Sequence, residues 1–221
     1  MKKLAGEKAV EKIEDGMILG LGTGSTVEYT LKKLAEEVKN GLKIKGIPTS
    51  NQTKKLAKQY QIPLIDLDET IEIDLTIDGA DEVDGELNLI KGGGGALTRE
   101  KIIAHHSNKV IIVIDETKVV KGLGVDTPVP VEIVKFSWKA TKKALEQLGC
   151  TTELREVMQG EPFITDNSGY ILDCDFGKIN DPEELEININ KIPGVIENGL
   201  FIELADEVIA GSKQGLLTLN K

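Results

Sequence analysis

Cysteine, histidine, aromatic side chains and positive charge are all scarce in this chain. Cys150 and Cys174 are its two cysteines and stand far apart with no C-x-x-C spacing, so a disulfide framework is not expected and two reduced thiols are. His105 and His106 are adjacent, and neighbours on a helix point in different directions, which makes a poor metal pair. Aromatic residues are 4% of the chain, too few for a base-stacking platform, and Trp138 is expected in packing. With 27 Lys and Arg against 37 Asp and Glu, the net charge of −10 argues against a nucleic-acid partner, which would need a basic face. A small anion stays open as a ligand, because a local positive potential can hold one phosphate within an acidic protein. Long apolar runs are missing too: none approaches a membrane span, and MKKLAGEKAVEKIEDG contains no apolar signal segment. These absences point to a cytoplasmic protein whose partners are neither nucleic acid nor membrane.

What is present is an ordinary globular composition over 221 residues, 40% hydrophobic and 29% charged, enough for one large domain or one domain with a smaller partner. The first part alternates short apolar runs with amphipathic segments. AGEKAVEKIEDG reads as a helix ended by Gly16, MILGL as a strand, and VEYTLKKLAEEVKN as a helix through Val27, Leu31, Leu34 and Val38. LKIKGI reads as a strand and SNQTKKLAKQY as a helix capped by Ser50 or Asn51. IPLI, DLTI, LNLI and VIIVI supply further strands, with ALTREKIIAHH a helix before the last. Such alternation predicts an α/β fold with a mostly parallel sheet and helices on both faces, and ligands beyond the carboxyl ends of its strands.

After Asp126 the pattern changes. TPVPVEIV carries two prolines, and two strand–helix–strand passes follow within about seventy residues, the signature of a small α+β domain. The expected boundaries are 1–126 for the larger domain, completed by 203–221, and 127–202 for the smaller.

Four stretches carry candidate chemistry. GLGTGST (20–26) lies between a strand and a helix, where glycines turn tightly and amides face outward. Its spacing matches neither a dinucleotide fingerprint nor a lysine-bearing P-loop. Alone it fits a ligand-free turn as well as a phosphate site. PTSNQT (48–53) opens a helix at another strand end, which in such a sheet lies beside the first turn. DGADEVDGE (78–86) puts Asp78 and Asp81 just past a strand that follows the IEIDLTI alternation. Clustered carboxylates there can exchange protons near neutrality, and a divalent metal is the competing use. KGGGGALTREK (91–101) places four glycines after Lys91 at the mouth of a helix, where amides and a cation can stabilise an oxyanion. Glu100 falls one turn inside that helix, as a base or as a solvated charge paired with Arg99 or Lys101. Glu82, Asp84 and Glu86 are expected on the solvated surface.

GLGTGST, TSNQT, DGADE and KGGGGALTREK, in this order, resemble the four motifs of the A-type ribose-5-phosphate isomerase family. VPVEIV and IPGVIENGLF resemble the same family's later segments. The resemblance implies a Rossmann-like domain with a small α+β, ferredoxin-like domain. It implies the aldose–ketose isomerisation of D-ribose 5-phosphate and D-ribulose 5-phosphate in the non-oxidative pentose phosphate pathway, with no metal or organic cofactor, by a homodimer. Carried over residue by residue, it makes Glu100 the general base, Asp78 and Asp81 the catalytic aspartates and Lys91 the loop lysine. Substrate-binding positions fall on Thr23, Gly24, Ser25 and Thr26, on Gly79 and Ala80, on Gly92, Gly93 and Gly94, and on Lys118. The N-terminal phosphate lysine falls on Lys2, with Lys3 its neighbour. A sugar-phosphate sensor of the same fold is the rival from another class, and a nicotinamide dehydrogenase rests on the glycine turn alone.

Overall fold

The computed structural model describes residues 1–70 and 72–221; Ile71, the first residue of the IEIDLTI alternation, lies outside the described residues. From the N-terminus, α1 (Lys2–Val10), β1 (Ile18–Leu21), α2 (Val27–Lys39), β2 (Lys45–Pro48), α3 (Asn51–Gln59) and β3 (Leu75–Asp78) alternate as expected. Next come β4 (Glu82–Val83), β5 (Leu89–Ile90), α4 (Leu97–His105) and β6 (Val110–Asp115), with a 3-10 turn at Glu116–Lys118. The chain then forms β7 (Val129–Ile133), α5 (Trp138–Glu146), β8 (Thr151–Leu154), β9 (Glu156–Met158), β10 (Glu161–Pro162) and β11 (Tyr170–Asp175). It closes with α6 (Pro182–Asn190), β12 (Val195–Asn198), β13 (Leu200–Phe201), β14 (Glu207–Gly211) and β15 (Leu216–Asn220).

These elements divide between two compact units. The first comprises Met1–Ala80, Arg99–Val119 and Glu203–Lys221. Its six-stranded sheet has the order β15-β14-β6-β3-β1-β2, parallel except where β15 pairs antiparallel with β14. The strand period of two sorts its side chains. Leu19 and Leu21 of β1 cluster with Leu75, Ile77, Ile111 and Val113 beneath Ala5 and Ala9 of α1 and Leu31 and Leu34 of α2. Ile18, one residue out of step, joins a separate cluster of Ile47, Ile73 and the α4 residue Ile103. Helices therefore cover both faces, which is why the strands read as continuous apolar runs. The helical spacing of Val27, Leu31 and Leu34 is the buried stripe of α2. Leu34 is fully buried, and Leu34→Ala costs about 2–5 kcal/mol by the usual weight of such cavities.

The second unit comprises Asp81–Thr98 and Val120–Ile202. Its four-stranded sheet, order β12-β7-β11-β8, is antiparallel throughout. With α5 after β7 and α6 after β11, this is the β-α-β-β-α-β, ferredoxin-like arrangement. Val129, Val131, Ile133 and Leu172 pack there with Leu145 of α5 and Ile189 of α6. The free cysteines Cys150 and Cys174 are buried in the same core.

Residues 81–98 and 120–126 thus fall in the second unit, although the expected boundary at Asp126 gives them to the larger domain. Hydrogen bonding explains the difference. Leu89 and Ile90 pair antiparallel with Phe201 and Leu200, Lys91 N–H donates to Gly199 at 2.8 Å, and Val120 N–H donates to Val83 at 2.8 Å. LNLI is accordingly part of a small antiparallel sheet, β13-β5-β4, rather than a strand of the parallel one. IPLI does not form a strand; Leu64 makes a single bridge to Gly46.

Candidate active site

In the first unit the GLGTGST turn is built onto Asp78, at the end of β3. A Cβ on Gly22 would lie 2.1 Å from Asp78 Oδ1, so only glycine lets the carboxylate come this close. Asp78 is buried, and its Oδ1 accepts the backbone N–H groups of Thr23 at 2.9 Å and of Gly79 at 2.7 Å. The Thr23 hydroxyl meets those of Thr49 at 2.8 Å, Ser50 at 2.8 Å and Thr53 at 3.0 Å. Thr53 donates to the Gly22 carbonyl at 2.8 Å. PTSNQT therefore stands beside GLGTGST, as expected of two strand ends in one parallel sheet. Ser50, rather than Asn51, caps α3 by accepting the Thr53 N–H.

One lysine reaches the same turn. Lys2, at the start of α1, donates to Ser25 Oγ at 2.9 Å and lies 3.9 Å from the Asp115 carboxylate at the end of β6. Lys3 faces elsewhere, 3.8 Å from Glu7. Burial opposes the charge of Asp115, but the Thr117 hydroxyl and amide, and then the Lys2 and Lys118 charges, outweigh it and hold its carboxyl below the usual range. The Lys118 charge thus acts on the same carboxylate that Lys2 approaches. Gly24 takes φ +124° with open space around it, Ser25 is exposed, and Thr26 is buried at the start of α2. This is an exposed glycine turn with hydroxyl and ammonium donors, a chemistry suited to a phosphate group.

The remaining candidates of the first unit are Ala80, part-exposed at its chain boundary, and Glu100, buried in the first turn of α4. Its neighbour Arg99 donates to Asn51 at 3.3 Å.

In the second unit Asp81 and the glycine loop meet: Asp81 Oδ2 accepts the Gly93 N–H at 2.7 Å. Gly93 and Gly94 are exposed, whereas Gly92 and Gly95 are buried with φ +103° and φ +78°. Lys91 is buried, its ammonium 5.3 Å from the centre of the Phe201 ring. Glu82, expected on the solvated surface, is instead buried and accepts the Gly124 N–H at 2.8 Å. Strand pairing of β4 with β5 draws it inward. Among the described residues no group of three or more His, Cys, Asp or Glu side chains could hold a metal ion.

Three side chains escaped sequence reasoning. Asp115 had a usable signal, an acid closing a buried apolar strand. Glu132 of β7 is fully buried and receives the hydroxyls of Thr98 and Thr165. Arg155 donates into the glycine loop from 62 residues away, and nothing local marks it.

The fold and these turns define a class: an open, mostly parallel α/β sheet with an exposed glycine turn at its strand ends, joined in sequence to a ferredoxin-like unit. The sequence model for ribose 5-phosphate isomerase A (phosphoriboisomerase A) matches residues 45–215, and the chain belongs to that family. It is 52% identical to ribose-5-phosphate isomerase A of Bacillus mycoides strain KBAB4, over 98% of this chain and 97% of that protein. Against the Pyrococcus horikoshii protein of the same name the identity is 47%, over 100% and 98%. Among solved structures, ribose 5-phosphate isomerase A from Methanocaldococcus jannaschii superposes with a TM-score of 0.95 at 43% identity, covering 100% of this chain and 98% of the other. A D-ribose-5-phosphate isomerase in complex with phospho-erythronic acid gives 0.96 at 46% identity, covering 100% and 97%.

Proposed function

We propose that this chain interconverts D-ribose 5-phosphate and D-ribulose 5-phosphate through a cis-enediolate, as a step of the non-oxidative pentose phosphate pathway. The observation that carries the reading is the exposed glycine turn at Thr23–Thr26, with the Lys2 ammonium donating to Ser25 Oγ. In this proposal that turn binds the 5-phosphate, with Gly79 and Ala80 contributing to the substrate site. The remote phosphate then supplies binding energy and fixes the reacting carbons.

The sugar ring opens when a proton moves from the C1 hydroxyl to the ring oxygen, and Asp81 is the shuttle. Asp78 is the better anchor, since one of its oxygens serves the Thr23 and Gly79 amides. Glu100 removes the proton from C2, alpha to the aldehyde, and returns it to C1 on the same face. Lys91 and the Gly92–Gly94 loop stabilise the negative oxygen of the enediolate. The C2 hydroxyl proton passes to the C1 oxygen as the enediolate collapses to the ketose, so atoms and electrons balance and the cycle needs no oxidant. Support for the substrate comes from relatives named ribose-5-phosphate isomerase A along nearly the whole chain and from the one solved with phospho-erythronic acid, an acid of the same phosphorylated-sugar type.

A homodimer in the cytosol completes the proposal. Exposed Val157 and Met158 on the β9–β10 hairpin are in keeping with a partner surface, and the buried free cysteines with a reducing compartment. The test is a coupled assay for ribulose 5-phosphate formed from ribose 5-phosphate after dialysis against chelator. Product is expected without added metal. No product, or turnover restored only by a divalent ion, overturns the reading.

A further inference from the structure

The glycine loop of the second unit is held from behind. Arg155, between β8 and β9, donates from Nη1 to the carbonyls of Gly92 at 2.7 Å and Gly93 at 3.2 Å. The rest of its guanidinium is fixed by Asp173 of β11, through Nε at 2.9 Å and through Nη2 on the other carboxylate oxygen. Its backbone is fixed as well: Arg155 N–H donates to Ile171 at 2.9 Å, and its carbonyl accepts Phe163 N–H at 2.8 Å. Phe163, so paired, closes on the same loop: a Cβ on Gly95 would lie 2.5 Å from its ring.

The peptide between Gly92 and Gly93 is gripped at both ends. A trans peptide is planar, with its C=O and N–H pointing in opposite directions. The Gly92 C=O end meets Arg155, and the Gly93 N–H end meets Asp81 Oδ2 at 2.7 Å. The next peptide presents the Gly93 C=O to Arg155 and must turn the Gly94 N–H the opposite way. A run of four glycines has little conformational preference of its own, and beside one internal bond, Gly95 N–H to the Gly92 carbonyl at 3.0 Å, this external grip orders the loop.

We infer that Arg155, locked by Asp173, is a positioning residue for the isomerisation, aiming Asp81 through the Gly92–Gly93 peptide and the Gly94 N–H through the peptide that follows. It touches no reacting atom. A bidentate, planar guanidinium is needed for the task, because one group must serve a carboxylate and two carbonyls at fixed angles, and a lysine cannot. The inference rests on the roles proposed for Asp81 and the loop.

The test compares Arg155→Lys, Arg155→Met, Asp173→Asn and Asp81→Asn in the full-length protein. It reads kcat and KM for ribose 5-phosphate, inhibition by phospho-erythronic acid and by inorganic phosphate, and the thermal midpoint. Both Arg155 variants are expected to lower kcat by about 10–100-fold, the scale of a misplacement near 1 Å, with little change in KM. Phospho-erythronic acid binding should weaken in step with kcat while inorganic phosphate inhibition stays unchanged, a split that general loosening would not produce. Asp173→Asn should show the same pattern, more weakly, and carries the test together with Arg155→Lys should Arg155→Met fail to fold. Wild-type kcat in Arg155→Lys, or equal loss of both inhibitors, overturns the inference. If Asp81→Asn loses activity while Arg155→Lys does not, the positioning role alone fails; if Asp81→Asn is fully active, the reading of Asp81 fails.

Discussion

Asp78 Oδ1 accepts the Thr23 N–H at 2.9 Å, tying the end of β3 to the turn that follows β1. The same oxygen takes the Gly79 N–H, so one buried carboxylate orders two separate turns. Asp78→Ala takes this acceptor from two part-buried amides, at a cost of about 1–3 kcal/mol in all. Urea denaturation should show that loss, and KM for ribose 5-phosphate should rise because the turn proposed to hold the phosphate loosens. Unchanged stability and unchanged KM together would remove Asp78 from this role.

Glu100 carries the heaviest chemical assignment. Its burial at the start of α4 keeps it off the solvated surface, where a lone helical glutamate is ordinarily found. Glu100→Gln preserves shape and removes the base. Turnover should fall by on the order of 10²–10⁴-fold with KM nearly constant. Solvent-isotope exchange at C2 should fall in parallel, and a variant exchanging at the wild-type rate would exclude Glu100 as the base.

The two N-terminal lysines make a sharp pair because only one faces the turn. Lys2 reaches Ser25, whereas Lys3 pairs with Glu7 and keeps most of its side chain in water. Lys2→Met should raise KM by roughly 10–100-fold, corresponding to about 1.5–3 kcal/mol for a charge-assisted hydrogen bond. Lys3→Met should leave KM close to wild type, since exposed ion pairs contribute little. The reverse ranking, measured by steady-state kinetics at fixed ionic strength, would reassign the phosphate lysine.

Much of this was legible in the residues themselves, for a physical reason. GLGTGST, PTSNQT and DGADE sit where strands of one parallel sheet end, and both the strand period and the turn glycines are local signals. The Thr23–Thr53 contact follows from that topology. The domain boundary was not legible, because it is set by pairings such as Leu89 with Phe201, more than a hundred residues apart. Glu82 was misjudged for the same reason: it looks like any acid in an acidic turn until Gly124 is brought to it. Arg155 is hidden more deeply still, since its partners lie in two distant segments and its own neighbourhood reads only as a strand.

Acid should weaken the first unit in a defined window, and Glu207 is the clearest cause. This residue of β14 is buried, with its carboxylate 3.2 Å from Lys12 and 2.8 Å from Lys109. Burial alone would raise its affinity for protons, but hydrogen bonds from Lys109 and Lys12 outweigh it and hold the carboxyl below its ordinary 4.5. A carboxylate depressed in the folded state binds fewer protons there than in the unfolded chain. Its stabilisation is therefore complete above the ordinary value and is lost as pH falls through the lower, folded one. Asp115 is shifted in the same direction and adds to the same limb. Thermal midpoints followed by circular dichroism should thus decline between about pH 5 and about pH 3, the range in which such carboxylates take up protons. Glu207→Gln should be less stable than wild type at neutral pH and should show a shallower acid limb, with the slope from Asp115 remaining. Parallel limbs for the two proteins would mean that Glu207 carries none of the acid sensitivity.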